Sequence, residues 1–475
     1  MRRRPALLLL LCLRLAVAQT APQPVSTPAQ DSQLQLSPQA AYDQAARPLD
    51  ITRRAVENWS DVEQAALKVA TDQAETACLA RTPYQFTGED LLAYARLCAF
   101  AQQWQPVQQA ATGYLIAWSA ADPAEKLTNF PNLSMAFDYE VQASLHLNNY
   151  NNAFGTAQTM LRSVPYDDLA SDATNATVRY VQLIQTAQAL ILLNQRQPII
   201  LGLLRAHTPP GSAAQPSARP PLTIHELYAD AIALPAMQQF ANDPKAAAAS
   251  FAELEAALPA TLSPDDAIFT AESRRQYLLL GSPLPAIAPS AWLLDPSSFA
   301  VPRDLNPKFA AASVYLLFPD WCAQCVRKGP DFTAAAARLR QNDVPFYALL
   351  AQADPQPPIP KQAPSPHAKP TPQGTSKSPR PPASPGAKEG IPHVEIQMTG
   401  GPIPAEVLLG TPTLIVPVET VKTFAATDFP LIIVTDYRGI VRYIQSAPDN
   451  ALVRNGLIDQ LADRVIEQWP ASVPQ

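Results

Sequence analysis

Two cysteines separated by two residues carry the clearest chemistry in this chain of 475 residues. Cys322 and Cys325 follow an apolar run, Val314 to Phe318, and open a segment whose helical spacing continues to Leu339. The start of a helix offers unpaired N–H groups and the positive end of the dipole, and both stabilise a thiolate. We expect Cys322, reached by solvent, to attack a disulfide and Cys325 to resolve the mixed disulfide.

The residues around this pair resemble the thioredoxin-like oxidoreductases. Trp321 precedes the first cysteine, and Pro330 matches the family's helix-kinking proline five residues after the second. Further along, residues 429–441 are similar to the family's cis-proline, the strand after it and an Asp-x-x-Gly hairpin. The resemblance implies that Pro430 lies against the dithiol and helps to position an extended substrate. Pro412, in a Thr-Pro-Thr run, is the alternative candidate for that proline.

The resemblance covers residues 281–475 and is strongest to exported proteins of the cytochrome-maturation reductase kind. Two positions depart from the pattern. Leu316 stands where thioredoxins bury an aspartate, and Lys328 stands where the exported reductases often place a glutamate. The proton acceptor for Cys325 is therefore open. The candidates are Asp320, Glu406 and Asp428.

The dithiol has two alternative roles besides redox exchange. The pair could be half of a zinc site, but the five histidines are scattered along the chain and supply no second half. It could also be a purely structural disulfide in a thioredoxin-like fold. We expect redox exchange without a metal or diffusible cofactor, with electrons passing to or from dithiols of partner proteins. Whether the pair reduces, oxidises or isomerises a partner depends on the reduction potential of the dithiol.

The N-terminal residues predict export. Residues 1–18 combine a basic start, the apolar core Ala6 to Leu13 and a small-x-small site at Ala16-Val17-Ala18, as in a signal peptide. An uncleaved anchor is the alternative. Residues 19–47 are rich in Pro, Gln and Ser and predict a disordered tether. We expect a periplasmic or secreted protein, in a compartment where disulfides persist.

Cys78 and Cys98 form a second candidate pair. They flank a bend between two predicted helices, and antiparallel neighbours could bring them within bonding distance. In an exported protein we expect a structural disulfide. Two buried thiols, or a second pair in exchange with the first, are the alternatives.

Residues 48–280 contain a helical repeat. Predicted helix-turn-helix junctions recur every 46 residues at Trp104, Tyr150 and Arg196, and a further step reaches Asn242. Three prolines and an asparagine coincide in this register, where they suit the first turn of each second helix: Pro106, Asn152, Pro198 and Pro244. The units resemble tetratricopeptide repeats, although their period is longer than about 34 residues. Such an array binds a partner protein on its concave surface or serves as a scaffold.

Composition limits the remaining choices. The formal net charge is −6, so the chain is a poor candidate for nucleic-acid binding. Residues 355–392 are rich in Pro, Ser and Lys and predict a disordered insertion, either merely tolerated or used for docking. We therefore predict an all-α array of helical hairpins followed by an α/β thioredoxin-like domain. The main alternative is a helical binding scaffold with a redox-inactive second domain.

Overall fold

A computed structural model describes most of the chain. The described residues are 36–56, 61–122, 130–206, 221–288, 291–299, 301–305, 310–352, 411–448 and 451–470. The predicted leader 1–18, the insertion 355–392 and Glu406 lie outside them. Within these ranges the chain is mostly helical, with a mixed six-stranded sheet in its C-terminal region. At this level it agrees with a helical array followed by an α/β domain.

The described residues before position 280 form eleven α-helices, which pack mainly against their neighbours in the chain. They are α1 Pro38–Arg53, α2 Asp61–Leu79, α3 Gly88–Phe100, α4 Trp104–Ala120, α5 Phe130–His146, α6 Tyr150–Ser163, α7 Asp168–Ile184, α8 Thr186–Ala206, α9 Ile224–Phe240, α10 Pro244–Ala257 and α11 Pro264–Leu279. A short 3-10 turn, Pro83–Gln85, joins α2 to α3.

The C-terminal region combines the sheet with three more helices. Its strands are β1 Ala291–Leu294, β2 Ala312–Pro319, β3 Phe346–Gln352, β4 Thr413–Pro417, β5 Leu431–Asp436 and β6 Val441–Ser446. Its helices are α12 Ala323–Gln341, α13 Glu419–Thr423 and α14 Ala451–Gln468.

The sheet has the order β1-β4-β3-β2-β5-β6. Strands β2, β3 and β4 are mutually parallel, whereas β1, β5 and β6 pair antiparallel with their neighbours. All eight residues of β2 are buried, as expected for a central strand covered on both faces. Leu316 faces a core that includes Phe332 of α12 and Leu461 of α14, while Leu317 faces the opposite core. Because both faces of β2 are packed, its carboxyl end has a fixed position. The dithiol follows directly after that end.

The predicted tether is wrong over residues 38–47, because α1 begins at Pro38. The Ser37 hydroxyl accepts the Ala40 N–H at 3.2 Å, and a proline in the first turn lacks only an N–H that the helix leaves unused. Ala41, Ala45 and Leu49 recur at helical spacing and are buried. Small apolar residues thus suffice to pack this helix, although the composition predicted disorder.

The predicted junctions hold at three places and fail at one. Helices α4 and α6 begin at Trp104 and Tyr150, and α10 begins at Pro244, close to the predicted register. The junction predicted at Arg196 is wrong, because α8 runs unbroken from Thr186 to Ala206 with Pro198 inside it. Its apolar face, which includes Leu192, Leu193, Ile200, Leu201 and Leu204, is buried along the whole helix. This burial holds the helix together through the proline.

Arg196 is instead a buried polar anchor. Its guanidinium donates to the Asn175 side-chain oxygen at 2.6 Å and to the Asp230 carbonyl, and it lies 3.7 Å from the Asp230 carboxylate. That carboxylate also accepts hydrogen bonds from Tyr166 and Ser171, both at 2.6 Å. The network joins α7, α8 and α9. The chain therefore reverses direction between α7 and α8, and not at Arg196.

The array and the sheet share one hydrophobic core. Phe240 of α9 packs edge-on against Tyr443 of β6, with ring centroids 5.8 Å apart. The Gln182 amide of α7 donates to the Tyr443 hydroxyl at 3.4 Å, and burial raises the pKa of that tyrosine to about 12. Arg464 of α14 donates to the Leu183 carbonyl at 3.0 Å. These contacts fix the sheet against the C-terminal half of the array.

Candidate redox site

The dithiol lies between the central strand and α12. After β2 ends at Pro319, the Asp320 N–H donates to the Ala351 carbonyl at 3.0 Å, and the Cys322 N–H donates to the Pro319 carbonyl at 3.1 Å. These bonds turn the chain, and Cys322 becomes the N-cap residue of the helix. The predicted order of strand, turn, dithiol and helix is therefore observed.

The two sulfurs form a disulfide of 2.02 Å, with Cα atoms 5.3 Å apart. The Cys325 N–H donates to the Cys322 sulfur at 3.3 Å. This N–H belongs to the first turn of α12 and is shared, because it also donates to the Cys322 carbonyl at 3.0 Å. After reduction the same donor would face a Cys322 thiolate, and a hydrogen bond to the charged form lowers a pKa.

Both cysteines are more buried than the sequence led us to expect. Cys322 is 3% exposed and Cys325 is 5% exposed, so the expectation that solvent reaches Cys322 freely is wrong. Both residues belong to the large hydrophobic cluster of the sheet, and Trp321 packs against the same cluster. The indole of Trp321 also meets the ring of Phe429 edge-on, with centroids 5.6 Å apart. The residue next to Cys322 in the chain therefore belongs to an aromatic pair.

The two candidate prolines occupy different places. The Phe429–Pro430 peptide bond is cis, and Phe429 contacts the tryptophan next to Cys322. The Pro430 carbonyl accepts the Ala447 N–H at 2.8 Å. Pro412 precedes β4, and its carbonyl accepts the Ala348 N–H of β3 at 2.8 Å. The loop of Pro430 is thus the one joined to the dithiol segment by a described contact, and its role toward a substrate stays a prediction.

The positions that depart from the thioredoxin pattern are now located. Leu316 lies within β2, paired with Ala348 on one side and Ile432 on the other. Lys328 lies on α12, one turn after Cys325, and is only 8% exposed. A buried lysine therefore lies on the helix that begins at the dithiol. Pro330 lies inside the same helix, as predicted.

Two of the three candidate proton acceptors are described. Asp320 is half-buried in the turn before Cys322. Asp428 is exposed, and its carboxylate accepts the Phe429 N–H at 2.9 Å. Asp320 is the closer of the two along the chain, being two residues from Cys322.

A buried aspartate holds the hairpin that follows Pro430. The carboxylate of Asp436 accepts the N–H groups of Arg438 at 2.9 Å and Ile440 at 3.1 Å. The guanidinium of Arg442 pairs with it at 2.8 Å. Gly439 has a φ of +74°, which a residue with a side chain adopts only with strain. The predicted Asp-x-x-Gly hairpin is observed, and its charge is fully paired.

Cys78 and Cys98 are joined by a disulfide of 2.07 Å between α2 and α3, with Cα atoms 5.2 Å apart. Both residues are fully buried. The Tyr94 hydroxyl donates to the Arg81 carbonyl at 3.3 Å beside the bridge. A disulfide without exposed sulfur suits a structural role, and its burial opposes exchange with the other pair.

The sequence did not locate a groove of about 1080 Å³, which is lined by helices α2 to α5 and α7 of the array and by Pro448 of the C-terminal region. Trp104, which begins α4, stacks on His146 at the wall of the groove, with ring centroids 3.8 Å apart. Burial lowers the pKa of His146. Asp172 and Arg179 of α7 line the groove, and Pro448 is its lining residue from the C-terminal region. Only the tertiary packing of distant helices could reveal this site.

The described residues were also searched for a metal site and a membrane-spanning helix. Within them no group of three or more His, Cys, Asp or Glu side chains is arranged to hold a metal ion. No described helix has both the length and the apolar character needed to cross a membrane. No protein-family model, curated protein or solved structure matches this chain.

Proposed function

We propose that this chain is an exported thiol–disulfide oxidoreductase whose C-terminal region is a thioredoxin-like domain. The observation that carries the proposal is the hydrogen bond from the Cys325 N–H to the Cys322 sulfur at the start of α12. It gives one sulfur of the pair a donor that favours its anionic form. A buried structural bridge, Cys78–Cys98, supports a compartment in which disulfides persist.

The proposed reaction consists of two successive thiol–disulfide exchanges. In the reducing direction, the Cys322 thiolate attacks one sulfur of a partner disulfide, and the partner's other sulfur leaves as a thiolate. The Cys325 thiolate then attacks the Cys322 sulfur and releases the second partner thiolate. The Cys322–Cys325 bond forms, the partner bond breaks, and two electrons pass to the partner. The same steps run backward when the partner is oxidised.

Access to sulfur determines which partners can react. Because Cys322 is 3% exposed, a partner sulfur must approach beside Trp321 and Phe429. An extended polypeptide placed along the Pro430 loop suits that approach better than a bulky folded surface. We further propose that the array recruits such partners, since the groove lined by Trp104 and Arg179 also includes Pro448.

A second candidate function is a helical binding scaffold with a structural Cys322–Cys325 bridge. The specific observation in its favour is the burial of both sulfurs. The two functions differ in one measurable property, because a structural bridge stays oxidised in a buffer that equilibrates redox-active pairs.

Equilibration with a glutathione buffer, together with an insulin-reduction assay, tests the proposal. We expect the wild type to exchange its Cys322–Cys325 bond and to reduce insulin, and Cys322→Ser to abolish both. The matched control is Cys78→Ser/Cys98→Ser, which removes the other bridge and should leave both activities in place. A wild type that reduces no insulin and stays oxidised in strong reductant would overturn the proposal and favour the scaffold.

A further inference from the structure

An aromatic groove lies at the N-terminal end of the array. It runs between the turn Pro83–Gln85, the start of α3 and the length of α4, and its volume is about 520 Å³. We define the aromatic groove by the four rings that line it. They are Tyr84, Phe86, Tyr114 and Trp118. It is separate from the dithiol and from the groove beside Pro448, with which it shares no lining residue.

The chemistry of this groove selects an uncharged ligand. None of its lining residues carries a charge. Tyr84 is 88% exposed at the rim of the groove, so its ring is accessible to a ligand. Gly88 has a φ of +54°, and an added side chain there would meet open space, so the groove is accessible from this side. Aromatic walls of this kind bind proline-rich chains, because the extended polyproline conformation is stiff and loses little entropy on binding.

We propose that the aromatic groove binds residues 20–30 of this same chain. Their sequence, TAPQPVSTPAQ, contains three prolines and no charged residue. The other proline-rich segment, 355–392, carries several lysines and an arginine. Transferring those charges into an uncharged apolar groove would cost free energy that the N-terminal segment does not lose. Charge therefore favours the N-terminal segment over the insertion.

The described chain begins next to the groove. The Leu36 carbonyl accepts a hydrogen bond from the Arg81 guanidinium at 3.1 Å, and Arg81 lies two residues before Pro83 at the groove's edge. Leu36 also packs against the core cluster that contains Tyr114. The five residues from Asp31 to Gln35, between this segment and Leu36, span up to ~17 Å when extended. A tether this short keeps the segment at an effective concentration on the order of millimolar at the groove.

Site-directed photocrosslinking in the full chain tests this inference. With p-benzoylphenylalanine in place of Tyr84, we expect an intramolecular crosslink to residues 20–30, identified by mass spectrometry in the monomeric product. Ala117→Glu places a charge in the groove at an exposed helix position and should reduce the crosslink at least five-fold. Ile116→Glu, 64% exposed on the same helix and outside the groove, is the matched control and should leave the crosslink unchanged.

Several outcomes would overturn the inference. These are a crosslink confined to residues 353–410, a crosslink found only between two copies of the chain, or the absence of any product with residues 20–30. An equal crosslink yield in Ala117→Glu and Ile116→Glu would also overturn it, since the segment would then lie near Tyr84 without occupying the groove. Circular dichroism of both variants verifies that each remains folded.

Discussion

At the scale of single residues, two effects compete at Cys322. Its sulfur accepts the Cys325 N–H at the start of a helix, which favours the thiolate. Its burial favours the neutral thiol, because a thiolate loses hydration in an apolar cluster. We expect the hydrogen bond and the helix dipole to outweigh burial.

The pH dependence of alkylation measures this balance. In reduced Cys325→Ala, which leaves Cys322 as the reactive thiol, we expect iodoacetamide alkylation to rise with a midpoint below the ordinary cysteine pKa of about 8.5. Below that midpoint the thiol is protonated and the rate falls. The same variant unfolded in urea should titrate near about 8.5 and serves as the control. A folded midpoint above the unfolded one would show that burial dominates.

At the scale of elements, buried polar clusters hold the helices in place. Arg196 and Asp230 are both buried, and their network joins three helices. A smaller cluster joins the N-terminus of α9 to the N-terminus of α11. There the Asp266 carboxylate accepts the Ser263 hydroxyl at 2.6 Å and the His225 N–H at 3.1 Å. These clusters predict two stability effects.

Removing the buried cation should cost more than removing an exposed one. Arg196→Met leaves the Asp230 carboxylate buried without its ion pair, so we expect a loss of about 3–5 kcal/mol in the free energy of unfolding. Arg205→Met, on the same helix, removes an exposed ion pair with Glu253 and should change stability little. Urea unfolding of both variants checks this difference. Equal losses would show that the Arg196 network contributes no more than a surface pair.

The Asp266 cluster should make stability depend on acid. Burial alone would raise the pKa of Asp266, but hydrogen bonds from Ser263 and His225 outweigh it and lower that pKa below 3.8. A lowered pKa stabilises the fold above the unfolded value, and this contribution is lost as pH falls through the folded value. Asp266→Asn should therefore be less stable than the wild type at pH 6, with the difference shrinking below pH ~4. A difference that stays constant with pH in urea unfolding would contradict this.

At the scale of the whole molecule, the array and the sheet are joined by a common core around Tyr443, and each half carries its own disulfide. The two bridges differ in position. Cys322–Cys325 lies at the start of α12 and keeps a small exposed fraction, whereas Cys78–Cys98 joins α2 to α3 and is fully buried. The molecule thus combines a bridge at the start of a helix with a bridge that joins two helices of the array.

Removing the array's bridge should affect stability and not exchange. Cys78→Ala/Cys98→Ala frees a loop closed across a separation of 20 residues, so the unfolded chain gains entropy and the fold loses about 3 kcal/mol. Urea unfolding of the oxidised proteins measures the loss, and insulin reduction should remain at the wild-type rate. A loss of activity without a loss of stability would instead support the alternative in which the two pairs exchange with each other.

Local signals in the sequence predicted much of this arrangement. Strand β2 and the cysteines at a helix start follow from apolar runs, turn residues and spacing that act over short distances, and the hairpin around Asp436 was predicted from the family resemblance. Arg196 shows where such signals stop, because a distant aspartate and a continuous apolar face decide that α8 does not break. The burial of Cys322 was missed for the same reason, since Phe429 reaches the dithiol segment from far along the chain. The groove beside Pro448 likewise exists only after packing.

The central claim is that Cys322 attacks a partner and Cys325 resolves the product. Trapping with Cys325→Ser tests it most directly, because an intermediate that cannot be resolved accumulates as a mixed disulfide. Incubated with an oxidised substrate polypeptide, Cys325→Ser should yield a covalent adduct through Cys322 that dithiothreitol releases, while Cys322→Ser should yield none. If Cys325→Ser forms no adduct, or Cys322→Ser forms as much, the assigned roles of the two cysteines are contradicted.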